Sequence, residues 1–147
     1  MREKYNIDLG KLVEIAKEGE VEKKEISVPV EIFRQGISPA EALCKYFKEN
    51  LGLRFSQIAD IINRNERTVW INYRDAMKKM KEKIKLRRKA LISVSAEIFA
   101  DRRLSILEAL VSYFKKNGLR NSEIAEIIGK DQRNIWTLYS RALKKSA

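Results

Sequence analysis

Residues 56–80 have the sequence SQIADIINRNERTVWINYRDAMKKM, and residues 122–146 have the sequence SEIAEIIGKDQRNIWTLYSRALKKS. In both stretches the Ile-Ala and Ile-Ile pairs place apolar side chains on one face of a short helix. Asn63 and Gly129 accept the left-handed backbone found just past a helix end, so each helix is predicted to end there. The Asn or Asp two residues later can cap another helix. Each stretch therefore predicts two helices joined by a tight turn, with an alanine where the helices approach closely.

The two stretches belong to a long internal repeat. Residues 26–79 align with residues 92–145 at a spacing of 66, which becomes 67 between Ser38 and Asn50. Of the 54 residues in the first repeat, 28 are identical in the second, which excludes a chance similarity. The length changes fall beside glycines, where loops tolerate them. The repeat predicts two copies of one structural unit.

Two further elements precede the paired helices in each repeat. Residues 28–33 and 94–99 are interpreted as short helices, the first of them entered by proline. Ser38 with Glu41 and Ser105 with Glu108 then match the capping box that begins a helix. The core-facing side chains of these helices are predicted to be Ala42, Leu43, Tyr46 and Phe47 in the first repeat and Ala109, Leu110, Tyr113 and Phe114 in the second.

The predicted fold class is all-α, with two tandem helix-turn-helix units of about three to four helices each. The predicted segments are an N-terminal extension (1–25), a first unit (26–80), a basic linker (81–91) and a second unit (92–147). The linker is expected to be helical, as a continuation of the third helix of the first unit. The extension matches neither repeat, and it can cap the core, pair two chains as a homodimer or bind a partner.

The charge of the chain favours a polyanionic partner. The net charge of +11 divides into −1 for residues 1–25, +3 for 26–79, +5 for 80–91 and +4 for 92–147. A field of this sign attracts nucleic acids but carries no information on their sequence.

Several other classes of protein are disfavoured by composition. The chain has no histidine and a single cysteine, Cys44, which removes the commonest general base, the usual zinc ligands and any disulfide within the chain. We therefore expect no catalytic residues, no metal site, no cofactor and no enzymatic activity. No apolar run is long enough to cross a bilayer and the first residues do not resemble a secretion signal, so we expect a cytoplasmic protein without membrane contact.

The helix pairs resemble region 4 of bacterial sigma-70 factors. The resemblance lies in Ile58 to Asn63 with Arg67-Thr68-Val69 and Arg74 to Ala76, and it is closer in Ile124 to Gly129 with Asn134-Ile135 and Arg141-Ala142. Each resemblance covers about 25 residues, and nothing in the chain resembles the sigma-factor region that binds and melts the upstream promoter element. It implies a helix-turn-helix fold, double-stranded DNA as a partner and, since region 4 units also bind RNA polymerase, a second class of partner.

The third helix of each unit is predicted to carry the DNA-contacting side chains. Its apolar side faces the core, and the opposite side holds residue types that suit base edges: arginine for guanine, asparagine for adenine, and threonine or isoleucine for the thymine methyl. The predicted contacts are Arg67, Thr68, Ile71, Arg74 and Lys78 in the first repeat and Arg133, Asn134, Thr137, Ser140, Arg141 and Lys144 in the second. Because the two sets differ, we expect two unlike half-sites.

Two other sets of residues lie near this helix. Lys83, Lys85, Arg87 and Arg88 of the linker are predicted to contact phosphates, which adds affinity without discrimination. For the equivalent tryptophans Trp70 and Trp136, we favour packing on the preceding helix or on residues 26–33 over contact with a base or sugar.

The sequence thus favours a transcription regulator that places its two recognition helices in adjacent major grooves, about 34 Å apart along the duplex. Two alternatives remain open from the sequence alone. One is an adaptor that contacts RNA polymerase or another protein through its region 4-like units. The other is a DNA-handling protein for recombination, maintenance or packaging.

Overall fold

A computed structural model describes residues 26–86 and 92–146, and this part of the chain is mostly helical. The first repeat contains strand β1 (Ser27–Pro29), a 3-10 helix (Val30–Arg34), α1 (Pro39–Lys45) continued by a π-helical turn (Tyr46–Asn50), α2 (Phe55–Ile62) and α3 (Glu66–Lys79). The second contains strand β2 (Ser93–Ser95), a 3-10 helix (Ala96–Ala100), α4 (Ile106–Lys116), α5 (Asn121–Ile128) and α6 (Gln132–Ser146). The N-terminal extension and linker residues Arg87 and Arg88 lie outside the described residues.

Both predicted capping boxes are confirmed. The Ser38 hydroxyl accepts from the Glu41 amide at 3.2 Å, and the Glu41 carboxylate accepts from the Ser38 amide at 3.0 Å. Ser105 and Glu108 make the same two bonds at the start of α4. These bonds satisfy amides that a helix start leaves without an intrahelical acceptor, so α1 and α4 begin where local sequence dictates.

The opening stretch of each repeat differs from the short α-helix that we predicted. Residues 27–29 and 93–95 are strands that pair with each other in antiparallel fashion, and the following residues form 3-10 turns. The register sets Val28 opposite Val94, and both side chains are buried. A strand as short as this is stable only with a partner, and here the partner is its own counterpart in the other repeat.

The 3-10 helix of each repeat packs across the molecule. The one in the first repeat contacts α5, and the one in the second repeat contacts α2. Between them the rings of Phe33 and Phe99 lie with their centroids 5.9 Å apart. The repeats are therefore joined through equivalent elements on both sides of the strand pair.

Each of these two contacts contains one arginine of the first repeat, from the 3-10 helix in one contact and from the residues after α2 in the other. Arg34, at the end of the first 3-10 helix, donates to the carbonyls of Glu126 and Ile127 near the end of α5, at 2.8 and 3.2 Å. In the other contact, Arg64 after α2 donates to the carbonyls of Phe99 and Leu104, at 3.2 and 3.0 Å. Cationic donors thus satisfy carbonyls that would otherwise lack partners near an element end.

One buried cluster of apolar side chains runs through both repeats and includes both strands, both 3-10 helices and all six α-helices of the described residues. Cys44 is fully buried in it, and burial raises the pKa of its thiol to about 12. The larger side chains at its centre are Ile32, Leu43, Phe47, Phe99, Leu110 and Phe114. The repeats accordingly share a core.

No helix in residues 26–86 or 92–146 has the length and apolar character needed to cross a bilayer.

Because the core is shared, we expect the two repeats to unfold together. Variants that keep only Trp70 or only Trp136, with phenylalanine at the other position, report on one repeat each by fluorescence during urea unfolding. Their midpoints should coincide. The substitution Phe99→Ala should lower both midpoints together, because it leaves a cavity at a fully buried ring position. The free energy of unfolding should fall by about 3–5 kcal/mol.

The control is Trp136→Ala, since the Trp136 side chain is mostly exposed and its loss should change the free energy of unfolding by no more than about 0.5 kcal/mol. Separate midpoints for the two single-tryptophan proteins would contradict a shared core.

Candidate nucleic-acid interface

The turn between α2 and α3 is built by local polar groups. Asn63 ends α2 with a left-handed backbone (φ 54°, ψ 50°), and the Asn65 side chain caps α3 by accepting from the Arg67 amide at 2.8 Å. In the second repeat Gly129 takes the left-handed position with φ 84°, and Asp131 accepts from the Asn134 amide at 2.9 Å. The predicted ends and caps are confirmed, so residue chemistry fixes the angle at which each third helix leaves the turn.

Both second helices begin at the residue before a serine, α2 at Phe55 and α5 at Asn121. Arg54 and Arg120 are the capping residues, and their amides donate to Gln57 and Glu123 at 2.9 and 2.7 Å. The start therefore depends on a side chain inside the helix.

The third helices α3 and α6 are held to the core along one side. Val69 and Ala76 of α3 are fully buried. Ile135 and Ala142 of α6 are no more than 2% exposed. Buried small or β-branched side chains at this helical spacing leave the opposite side of each helix facing outward.

An ion pair also fixes the carboxyl end of each third helix. Lys79 of α3 reaches the carboxylate of Glu41 at 2.9 Å, and Lys145 of α6 reaches that of Glu108 at 2.7 Å. Both carboxylates are buried. Burial raises their pKa, but the bonds from the lysine and from the serine amide outweigh it and leave the pKa of each below its ordinary value. The capping glutamate therefore links the start of one helix to the end of another.

The first repeat has an additional polar network beneath α3. Lys45, fully buried, donates to Glu49 at 2.7 Å, and Glu49 accepts from the Tyr73 hydroxyl at 2.7 Å. Burial together with this bond raises the pKa of Tyr73 to about 12. In the second repeat the ammonium of Lys115 lies 5.3 Å from the ring centre of Tyr139 instead. The same tyrosine position is thus held by different neighbours in the two repeats.

The outward side of each third helix holds the predicted DNA-contacting residues. Arg67, Thr68, Arg74 and Lys78 on α3 and Arg133, Asn134, Arg141 and Lys144 on α6 are exposed, whereas Ile71, Thr137 and Ser140 are half-buried. The structure therefore brings the predicted residues of each repeat onto a single helix face.

Some of these side chains have partners within the protein. The Arg74 guanidinium lies 3.2 Å from the Asp75 carboxylate and 5.2 Å from the ring centre of Trp70. The Thr137 hydroxyl donates to the Arg133 carbonyl at 3.0 Å, which leaves its methyl group and a lone pair for outside contacts. No contact from Arg67 or Arg133 guanidinium groups to an acidic residue is present among the described residues.

The charge of the two helices differs. The sequence of α6, QRNIWTLYSRALKKS, contains four basic residues and no acidic residue. The sequence of α3, ERTVWINYRDAMKK, contains four basic and two acidic residues. The second repeat therefore presents the more positive helix.

The tryptophans differ from our expectation that they pack on neighbouring elements. Trp70 is 46% exposed and Trp136 is 63% exposed, on the flank of the outward face. Leu143, two turns beyond Trp136, is also exposed. Neither ring is part of the buried core, which leaves both available for contacts outside the chain.

Residues 80–86 do not continue α3, which corrects our prediction that the linker extends this helix. α3 ends at Lys79, and Met80 adopts an extended backbone (φ −145°, ψ 98°). Ile84 is buried, and its carbonyl accepts from the Asn50 side chain at 3.1 Å. Burial of Ile84 and this bond hold the segment against the first repeat, while Lys83 and Lys85 on either side are exposed.

The glutamate–lysine pairs, which hold the third helices, and Arg34 and Arg64, which join the repeats, were not predicted from the sequence. The pairs could have been found, because Glu41 and Lys79 are equivalent to Glu108 and Lys145 in the repeat. The two arginines depend on contacts between repeats, for which the sequence holds no local signal.

Comparisons of the chain with protein-family models, curated proteins and solved structures found no match.

The glutamate–lysine pairs predict a pH dependence of stability. A carboxyl group whose pKa is lowered in the folded state contributes stability above its unfolded pKa, near 4.5 here, and this contribution is lost as the pH falls through the folded pKa. The double variant Glu41→Gln with Glu108→Gln keeps an oxygen for the serine amide but loses the charge. It should be less stable than the parent at neutral pH by about 1 kcal/mol per site, and the difference should shrink toward pH 3.

The measurement is urea unfolding across this pH range. Asp101→Asn serves as a control, because pairing with Arg103 lowers the pKa of the exposed Asp101 to about 2, so its contribution persists to lower pH. A constant difference between the double variant and the parent at all pH values would show that the carboxylates do not act through their charge.

Proposed function

We propose that the chain is a sequence-specific double-stranded DNA-binding protein that regulates transcription, with α2–α3 and α5–α6 as helix-turn-helix units. The observation that carries the proposal is the outward face of α3 and α6. Each helix is anchored to the core at one side and at its carboxyl end, and each presents basic and polar side chains opposite that anchor. A rigid helix with such a face fits the major groove.

The turn geometry supports the same proposal. A second helix of eight residues, Phe55–Ile62 or Asn121–Ile128, is followed by three residues and then by the longer third helix. The small Ala59 and Ala125, both buried, lie where the two helices pack. This is the arrangement in which the amino-terminal residues of the third helix contact base edges.

Arg67 and Arg133 are the side chains that we assign to base contact first. They occupy equivalent positions at the amino end of α3 and α6 and are exposed. The residues around them differ between repeats: Thr68, Ile71 and Arg74 correspond to Asn134, Thr137 and Ser140. The two units accordingly recognise different half-sites.

A second candidate function is an adaptor that contacts RNA polymerase or another protein. The exposed apolar side chains Trp136 and Leu143 on α6 favour it, since aromatic residues are enriched in protein interfaces. The substitutions Trp136→Ala and Leu143→Ala separate the two functions, because loss of a protein partner with unchanged DNA affinity favours the adaptor.

The first test is selection of bound fragments from random duplex DNA, followed by Arg67→Ala and Arg133→Ala on the selected site. If the guanidinium hydrogen-bonds a base, each substitution should weaken the free energy of binding to that site by roughly 1–3 kcal/mol. The loss on unrelated DNA should be much smaller. Arg102→Ala removes the same charge from an exposed loop position outside both third helices and is the matched control. No enrichment at moderate salt would contradict sequence-specific binding.

A second test concerns the linker. Replacing Lys83, Lys85, Arg87 and Arg88 with glutamine should reduce the slope of log affinity against log salt by about 0.9 for each phosphate group that the variant no longer neutralises. The preference between the selected site and unrelated DNA should stay the same, because phosphate contacts do not discriminate. An unchanged slope would show that the linker does not contact DNA.

A further inference from the structure

The strand pair sets equivalent residues of the two repeats opposite each other. Val28 and Val94, which align in the repeat, are direct partners, and the pairs Ser27–Ser95 and Pro29–Ser93 lie symmetrically on either side. Exchanging the repeats converts each of these flanking pairs into the other. The strands run antiparallel, so the operation that exchanges them is a rotation of about half a turn through the central valine pair.

Contacts away from the strands follow the same operation. The Val30 amide donates to the Ile92 carbonyl at 3.0 Å, and the Ala96 amide donates to the Ile26 carbonyl at 2.8 Å. These two bonds exchange when the repeats are exchanged, and so does the packing of each 3-10 helix on the other repeat's second helix. Phe33 and Phe99, also equivalent, contact each other. An approximate twofold axis therefore relates the repeats.

A simple translation from one repeat to the next would not produce these contacts. It would carry Val28 onto Val94 with the same strand direction, whereas the two strands are antiparallel. The third helices α3 and α6 are consequently related by the twofold axis as well. Their amino ends are exchanged by the rotation, as in a dimer of two identical chains.

The backbone of duplex DNA has twofold axes perpendicular to its length. Two units related by a twofold axis can dock equivalently on one duplex only when the protein axis coincides with a DNA axis, and their half-sites are then inverted. We infer that this single chain recognises two half-sites in inverted orientation that differ in base sequence. The inference rests on the proposed function and specifies the DNA target of the same helices.

The test makes the two recognition faces alike. Asn134→Thr, Thr137→Ile, Ser140→Arg and Arg141→Asp give α6 the outward residues of α3. The reciprocal variant, Thr68→Asn, Ile71→Thr, Arg74→Ser and Asp75→Arg, gives α3 the residues of α6. Either protein suffices for the test, and circular dichroism establishes which of them folds. Each is used to select sites from the random duplex library that also yields the parent's site.

The inference predicts that a variant with matching faces selects an inverted repeat of one half-site. A probe with these half-sites inverted should bind at least about tenfold more tightly than a probe with the same half-sites in direct orientation, because turning a half-site round creates mismatches at several base pairs. Selection of a direct repeat, or of a lone half-site, would overturn the inference while leaving DNA binding in place. No enriched site for the parent would instead overturn the proposed function.

Discussion

The structure depends on the antiparallel pairing of two three-residue strands, one from the start of each repeat. Such a pair contributes few hydrogen bonds, and alone it would be unstable in water. Here the central pair, Val28 and Val94, is buried, so these side chains join the core. Both strands belong to the buried cluster that also includes the later elements of each repeat, and the 3-10 helices that follow the strands cross to the opposite repeat.

The outward faces of α3 and α6 owe their rigidity to groups at the far end from the turn. A capping glutamate normally satisfies one amide at a helix start. Glu41 and Glu108 do this and also bind a lysine from the third helix. Because the third helix is fixed at its turn and at its carboxyl end, a contact made at its amino end loses little conformational freedom. The DNA-binding proposal uses this rigidity in both repeats.

Features with a local cause could be predicted from the sequence. The capping boxes, the left-handed residues Asn63 and Gly129 and the buried side of the third helices depend on neighbours a few positions away in the chain. The exposure of the predicted DNA-contacting residues follows from the same helical periodicity.

Features that depend on the pairing of the repeats could not be predicted. Residues 28–33 were predicted as a short helix because proline can enter one, but pairing with the other repeat makes their beginning a strand. The linker has helical spacing, yet α3 ends at Lys79 and Ile84 is buried with its carbonyl bonded to Asn50 of the first repeat. The partners of Arg34 and Arg64 lie in the opposite repeat, and no local sequence pattern predicts such contacts. We expected Trp70 and Trp136 to pack on the preceding helix or on residues 26–33, but both rings are exposed on the flank of the third helix.

The placement of Arg34 and Arg64 makes the halves of the molecule complementary. Arg34 lies against Gly129, where even a Cβ atom would be 3.2 Å from the guanidinium. The first repeat has Asn63 at the position of Gly129, so two first repeats facing each other would crowd Arg34 on both sides. Two second repeats would have Ala100 in place of Arg34 and would leave the carbonyls at the end of α5 without this donor. Pairing of a first repeat with a second is thus favoured over pairing of two like repeats. A substitution in one third helix therefore alters one half of the molecule alone, whereas in a dimer of identical chains it would alter both.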